Sequence, residues 1–425
     1  MIRRNKQKRE IFYGVWVVAG CFVLLFLFSG AGFYSFGVFI KPLEEHFGWG
    51  RAAISSTISI YLLLQGIAGP FVGQLIDTWG PKKVMTFFAI GTGLCFILVS
   101  FTHSLWYLYL SYGLLSVANS GIGFIPVSSV LARWFIRRRG TAIGSAMVGM
   151  AAGGLVLAPL SSLISYHFGW RISFVFLGIL VWTLSLPIIL FVIKGSPAEI
   201  GLLPDGGRSE NMDISISPDR SDSVTKPAEQ EWPIRAALGS KAFRWIVVSF
   251  FLAPMAQMGV LQHQVPLIVD SGISQTTAAA ALGLTAGFGG AGKICFGRIS
   301  EFVPVHYVTM LCFVLQAVAV LILLNFRSMG MIWVYVMIFG FGMGGVIVLL
   351  PLVVGQFFGL TAFSVIVGTV SLVHAFGSSS GALLSGLIYD HLGSYHYALI
   401  FYIVIYLVAT LTIFMGGKPK PYRIS

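Results

Sequence analysis

The chain has 425 residues, of which 56% are hydrophobic and only 10% charged, more apolar surface than a soluble fold can hide. A formal net charge of +12 would suit a nucleic-acid partner in a soluble protein, but here the basic residues fall between long apolar runs and mark orientation in a membrane. Those runs are each about 20 residues, long enough to cross a bilayer as a helix, and they lack the alternating polar positions of a membrane β-barrel.

Lipid-exposed backbone must satisfy its own hydrogen bonds, so the spans are read as helices. In chain order they are 14–40, 52–75, 84–101, 106–131, 141–165, 172–193, 243–269, 276–298, 306–325, 331–357, 362–388 and 396–416. The expectation is an all-α membrane fold of twelve transmembrane helices in two pseudo-symmetric six-helix bundles. Residues 1–13 form an N-terminal segment, 14–193 the first bundle, 194–242 a central loop, 243–416 the second bundle and 417–425 a tail. The opening MIRRNKQKRE is basic, but the apolar run after it is too long for a signal-peptide core. With the N-terminus in the cytoplasm, 22 of the 27 Lys and Arg residues lie on the cytoplasmic side. Only Lys41, Arg51, Arg171 and Arg327 lie opposite, which obeys the positive-inside rule with both termini cytoplasmic. Cys21, Cys95, Cys295 and Cys312 all fall inside spans and read as small buried hydrophobes, with no disulfide or metal pattern.

Polar residues inside the spans are few. Tyr34 lies in GFYSFGVF of the first span, and Asn119 and Ser120 interrupt the fourth in SVANSGIG. After Lys194 the chain turns polar and poor in aromatics, a flexible loop, and PIRAALGSKAFRW suggests a short interfacial helix. The seventh span offers Gln257, Gln262, His263 and Gln264 toward its outer end, for an outer gate or for direct contact. The eighth carries Lys293, and the eleventh His374 in SLVHAFGSSSG.

The two halves repeat. A shift of 224 aligns YHFGWR (166–171) with DHLGSY (390–395), Gly144 with Gly368, Gly73 with Gly297 and Asp77 with Glu301. Parallel six-helix repeats are the architecture of one class of secondary transporters, whose substrate site lies near the midplane between the halves. GQLIDTWGPKK, from Gly73 through Asp77 and Gly80 to Lys82 and Lys83, closely resembles the helix 2–3 signature of the major facilitator superfamily. There Gly73 lets helices approach, and Asp77 accepts from a helix N-terminus or a basic partner to latch a gate at the membrane edge. GRISE, with Gly297, Arg298 and Glu301, is its degraded second copy, and ARWFIRRRGTAIG resembles the family's helix 4–5 turn. The closest look is to monocarboxylate transporters and the bacterial oxalate:formate antiporter group, on YGVWVVAG, SFGVFIKPLEEHFGW, SPAEIGLLPDG and a basic residue three before Gly297.

Lys293 lies about 9 Å past the middle of its span at 1.5 Å per residue, so one reading is that it snorkels to the headgroups. Against this, its Cα–Cβ bond tilts back toward the midplane. The small residues Ala286, Gly289, Gly290 and Gly297 share its face, as at a helix contact or cavity. All 15 acidic residues lie in loops or at helix ends. The natural counter-charge for a costly intramembrane cation is therefore an arriving anion. The resemblance implies the same, since that branch usually places an arginine here to meet the substrate carboxylate. Lysine departs from it, losing the bidentate fork. Members resembling the oxalate transporters carry a second cation near His374, which read alone is either an anion or proton site or a packed histidine. Animal monocarboxylate transporters place lysine where Tyr34 stands and aspartate where Gly289 stands, so their proton-coupling set is incomplete here.

The expected function is secondary active transport of small mono- or dicarboxylates by alternating access, coupled to protons or run as anion exchange. The alternatives are a permease for a non-carboxylate solute and a non-transporting membrane sensor. No phosphate loop, paired intramembrane carboxylates or ligand-spaced His/Cys cluster points to an enzyme, cofactor or metal. The expected partners are a small carboxylate, protons and the lipid bilayer, for a monomer in the inner cell membrane.

Overall fold

The apolar runs are helical throughout the computed structural model, which describes residues 12–206 and 232–417. The first half holds α1 (Gly14–Phe47), α2 (Arg51–Trp79), α3 (Pro81–Ser100), α4 (Leu105–Trp134), α5 (Arg139–Phe168) and α6 (Trp170–Val192). The second holds α7 (Lys241–Asp270), α8 (Gln275–Ile299), α9 (Val305–Leu324), α10 (Met329–Phe358), α11 (Phe363–Leu392) and α12 (His396–Gly416). Among the described residues, eleven of these helices are long and apolar enough to cross a membrane. The remaining one, α8, has 25 residues but is diluted by glycine, threonine and Lys293. Ser104, Ser240 and Ser274 start α4, α7 and α8 by accepting from the backbone N–H of Tyr107, Phe243 and Thr277.

Within the first half α1 packs on α5, α2 on α4 and α3 on α6, and within the second α7 packs on α11, α8 on α10 and α9 on α12. The halves meet where α2 lies on α11 and α5 on α8. Without a hydrophobic force between helices in lipid, close approach depends on small residues at such seams. Large apolar side chains such as Phe87, Trp106 and Leu110 point outward, as a lipid-facing surface requires.

Three details differ from the sequence reading. The helix of α1 runs to Phe47 because its last turns project beyond the apolar run, where Lys41 and Glu45 pair at 3.7 Å. Residues 194–206 are docked rather than loose, with Trp134 Nε1 donating to the Lys194 carbonyl at 2.8 Å and Asp205 bonded to the α4–α5 turn. Of the remainder of the central loop, 207–231 lie outside the described residues, and the short helix Ile234–Gly239 leads into α7. Cys295 is exposed, unlike the other three cysteines, because it stands on the face of α8 away from α5 and α10.

Candidate functional site

At the end of the bundle where Gly14 begins α1 and Gly416 ends α12, the halves are closed against each other by two matching sets of contacts. A side chain at Gly73 would strike the backbone of Ser364, and one at Gly297 the backbone of Gly140. A shift of 224 converts the first pair into the second. It also relates Gly69, against Gly368, to Lys293, whose backbone lies against Gly144. Asp77 Oδ2 accepts from the Val365 N–H at 3.1 Å, and Glu301 Oε1 accepts from the Thr141 N–H at 2.7 Å, again one pair shifted by 224. Val365 and Thr141 are the third residues of α11 and α5. Each carboxylate thus satisfies an orphan amide and faces the positive end of a helix dipole in the opposite half.

Basic neighbours complete the two clasps. Arg133 stands 3.8 Å from Asp77, and Arg298 donates to the second oxygen of Glu301 at 3.0 Å. Gly80 turns the chain from α2 into α3 at φ +82°, a conformation that favours glycine. Lys82 donates to the Leu190 carbonyl at the end of α6 at 2.7 Å, while Lys83 is exposed.

Beyond this closed end lies a cavity of about 340 Å³ between the halves. Two helix irregularities shape the first-half wall. A π-turn over Gly30–Tyr34 re-aims α1 and leaves Tyr34 47% exposed in the cavity lining. Helix α4 breaks at Gly121–Gly123, just after Ser120, which lines the cavity. Asn119 sits behind the wall. Its amide donates to the Phe28 carbonyl at 2.9 Å and the Tyr61 hydroxyl at 2.6 Å, and Gln65 donates to the same hydroxyl at 3.2 Å.

From the second half, α11 contributes Ser371, His374, Ser378 and Ser379, and α7 contributes Met258 and Gln262. The hydroxyls of Ser371 and Ser378 are buried without a hydrogen-bond partner among the described residues. Met258 and Gln262 are four residues apart on one face of α7, which turns the next two residues away. His263 instead meets the Tyr395 hydroxyl at 3.1 Å. Gln264 is buried within the second half, accepting from Tyr335 at 3.1 Å and donating to Thr285 at 3.2 Å.

Of the sequence candidates, then, the cavity gathers Tyr34, Ser120, Gln262 and His374, while Asn119 supports its wall and Gln257, His263 and Gln264 lie elsewhere. Lys293 does not line the cavity. Its backbone is wedged between Gly144 of α5 and Gly344 of α10, level with the closed end, because glycines on both sides draw α8 inward there. Its side chain is partly buried and has no acidic partner among the described residues. Tyr61, Gln65, Ser371 and Ser378 escaped the sequence reading. Ser371 and Ser378 stand three before and four after His374, a helical spacing that could have found them.

A sequence profile described as Major Facilitator Superfamily matches residues 22–363 and again 266–424. The chain is 23% identical over 415 residues to the uncharacterized MFS-type transporter YcxA of Bacillus subtilis (strain 168), covering 93% of this chain and 92% of that one. It is 27% identical over 432 residues to monocarboxylate transporter 2 of Meriones unguiculatus, covering 96% and 85%. Among solved structures it is similar to the human organic anion transporter MFSD10, with a TM-score of 0.70 at 14% identity over 94% of this chain and 99% of the other. It is equally similar to the E. coli fucose:proton symporter FucP, with a TM-score of 0.70 at 12% identity over 96% and 100%. At these identities the structural likeness is one of fold.

Proposed function

Since the chain belongs to the Major Facilitator Superfamily and is a multi-pass membrane protein of a transporter family, we propose that it moves small organic anions across the cell membrane by alternating access. The observation that carries the reading is the cavity between the halves, shut at one end by the paired clasps and holding His374 and two partnerless serine hydroxyls. Lys293, a cation outside the cavity at the level where the halves close, has no acidic partner among the described residues, which favours a solute that brings negative charge. Relatives described as monocarboxylate transporters support the same class.

With both termini and the 194–242 loop in the cytoplasm, as the basic residues favour, the conformation described is open outward and closed inward. Asp77, Gly73, Gly80, Lys82 and Lys83, with Gly297, Arg298 and Glu301, form the inner gate. Tyr34, Ser120 and His374 serve the solute directly, and Lys293 meets it when the inner end opens. A proton can ride on His374 or on the solute as its neutral acid, so symport and anion exchange are both within reach of this geometry. One observation favours a second reading. The lining carries no permanent charge, which suits a neutral polar solute. Uptake of labelled mono- and dicarboxylates and of neutral sugars into proteoliposomes, at two pH gradients, separates the two. Saturable uptake of a carboxylate supports the first reading, and uptake confined to neutral solutes overturns it.

A further inference from the structure

The polar and apolar walls of the central cavity face each other. Ser371, His374 and Ser378 occupy successive turns of one face of α11, and two of their three side chains are serines with no internal partner. Buried hydroxyls left this way cost free energy unless a ligand completes them. The opposing side is built from Phe28, Phe33, Phe124, Ile125 and Met150, contributed by α1, α4 and α5. On that side the amides of Asn119 and Gln65 are already engaged by Tyr61, which leaves the Tyr34 hydroxyl as the exposed polar group of the wall. We propose that the solute is an amphipathic monocarboxylate with a branched or aromatic body. Its carboxylate meets the Ser371–His374–Ser378 face, and its apolar body lies on the first-half wall.

This rests on the anion-transport reading above and narrows it. A cavity of about 340 Å³ leaves a formate- or acetate-sized anion mostly surrounded by water, with no use of the apolar wall. Each methylene buried there instead is worth about fourfold in affinity. A dicarboxylate fares worse, because its second charge would have to sit on phenylalanine and methionine with no cation in the lining.

The test is competition and direct uptake in proteoliposomes with acetate, 4-methylpentanoate, phenylacetate, oxalate and succinate, on the wild type and two variants. Phenylacetate or 4-methylpentanoate is expected to show a KM at least tenfold below that of acetate, with oxalate and succinate not transported. Ser371→Ala combined with Ser378→Ala should weaken every monocarboxylate by a similar factor. Leu62→Trp, which places a ring in the cavity from α2, should reduce the bulky-to-small preference by about tenfold. Monodisperse elution of each variant in detergent controls for folding. Preference for acetate or for a dicarboxylate overturns this inference and leaves anion transport standing. Uptake of no carboxylate at all overturns the anion-transport reading itself.

The segment after α6 carries a second, independent feature. Asp205 adopts φ +59°, the one non-glycine residue with positive φ among those described. Its carboxylate accepts from three consecutive backbone N–H groups of the α4–α5 turn, Ile136 at 3.1 Å, Arg137 at 2.7 Å and Arg138 at 3.3 Å. Three residues on from Arg138, Thr141 donates to Glu301 of the opposite half. We infer that Asp205 is a positioning residue for the gate, holding the turn so that the Thr141 amide meets Glu301. A residue held at positive φ is retained where the surrounding structure fixes it.

Asp205→Gly removes the three bonds while suiting the backbone, and should open the terminal end in distance measurements between labelled halves. Asp205→Asn, which keeps an acceptor in place, should restore part of the closure. Combined with Glu301→Gln, Asp205→Gly should add little, because both act on one contact. Full additivity of the two, or an Asp205→Gly variant with an unchanged closed population, overturns the inference.

Discussion

Replacing Glu301 with glutamine isolates one of the two contacts that hold the halves together at the terminal end. In the described state the Glu301 side chain is only 6% exposed and is shared between the Thr141 amide at 2.7 Å and Arg298 at 3.0 Å. A hydrogen bond to a charged group contributes about 1.5–3 kcal/mol and a neutral one about 1 kcal/mol. The positive end of α5 adds some tenths to the charged form. Glutamine retains an acceptor and loses the charge, so the closed arrangement should lose about 1–2 kcal/mol relative to the open one. That is a 5- to 30-fold fall in the closed-to-open ratio.

Spin labels at Lys83 and Tyr307, both exposed and in opposite halves, can report the ratio by pulsed dipolar spectroscopy once the four native cysteines are replaced. Asp77→Asn should produce a fall of similar size, since Asp77 makes the matching bond to Val365. The two changes, which share no bonding partner, should add. An unchanged ratio in Glu301→Gln, or a shift toward closure, would refute the reasoning.

Four further outcomes are expected. Lys293→Ala should abolish or severely reduce uptake with folding intact, since a charge pair stripped of one partner loses about 3–5 kcal/mol, and Lys293→Arg should keep part of it; normal uptake kinetics in the alanine variant would remove Lys293 from the solute's path. His374 lines the cavity with Tyr34 and Tyr61 and with no carboxylate, so His374→Gln should raise the KM for a carboxylate while folding stays intact, and an unchanged KM would return His374 to the packed wall. Asn119→Ala should lower thermal stability by about 1–3 kcal/mol, because the buried Phe28 carbonyl loses its side-chain donor and the Tyr61 hydroxyl keeps only Gln65; an unchanged melting curve would contradict that. Cysteine placed at position 220 should react with an impermeant thiol reagent only after cells are opened, and labelling of intact cells would reverse the orientation.

The spans, the two halves and the paired glycines and carboxylates of the repeat were legible in the sequence, for a physical reason. A helix in lipid must be about 20 apolar residues long whatever surrounds it. A repeat that folds the same way twice must keep its small residues and carboxylates in register, so Gly73 with Gly297 and Asp77 with Glu301 announce themselves by one shift. Sequence also singles out a charge as anomalous wherever it stands among apolar residues, and it did so for Lys293 and His374 alike. It could not say which of them faces the open cavity. That depends on how far α8 is drawn in by Gly144 and Gly344, glycines distant along the chain. The same holds for α7, where Gln262 faces the cavity while His263 and Gln264 turn to partners in other helices. Local periodicity fixes the angle between such neighbours but not the absolute rotation of the helix, and only packing against the other helices sets that. Asp205 is the extreme case. Nothing in the loop's composition announces a capping role, because its three donors lie 67–69 residues earlier and reach it only when the segment folds back beneath the first bundle.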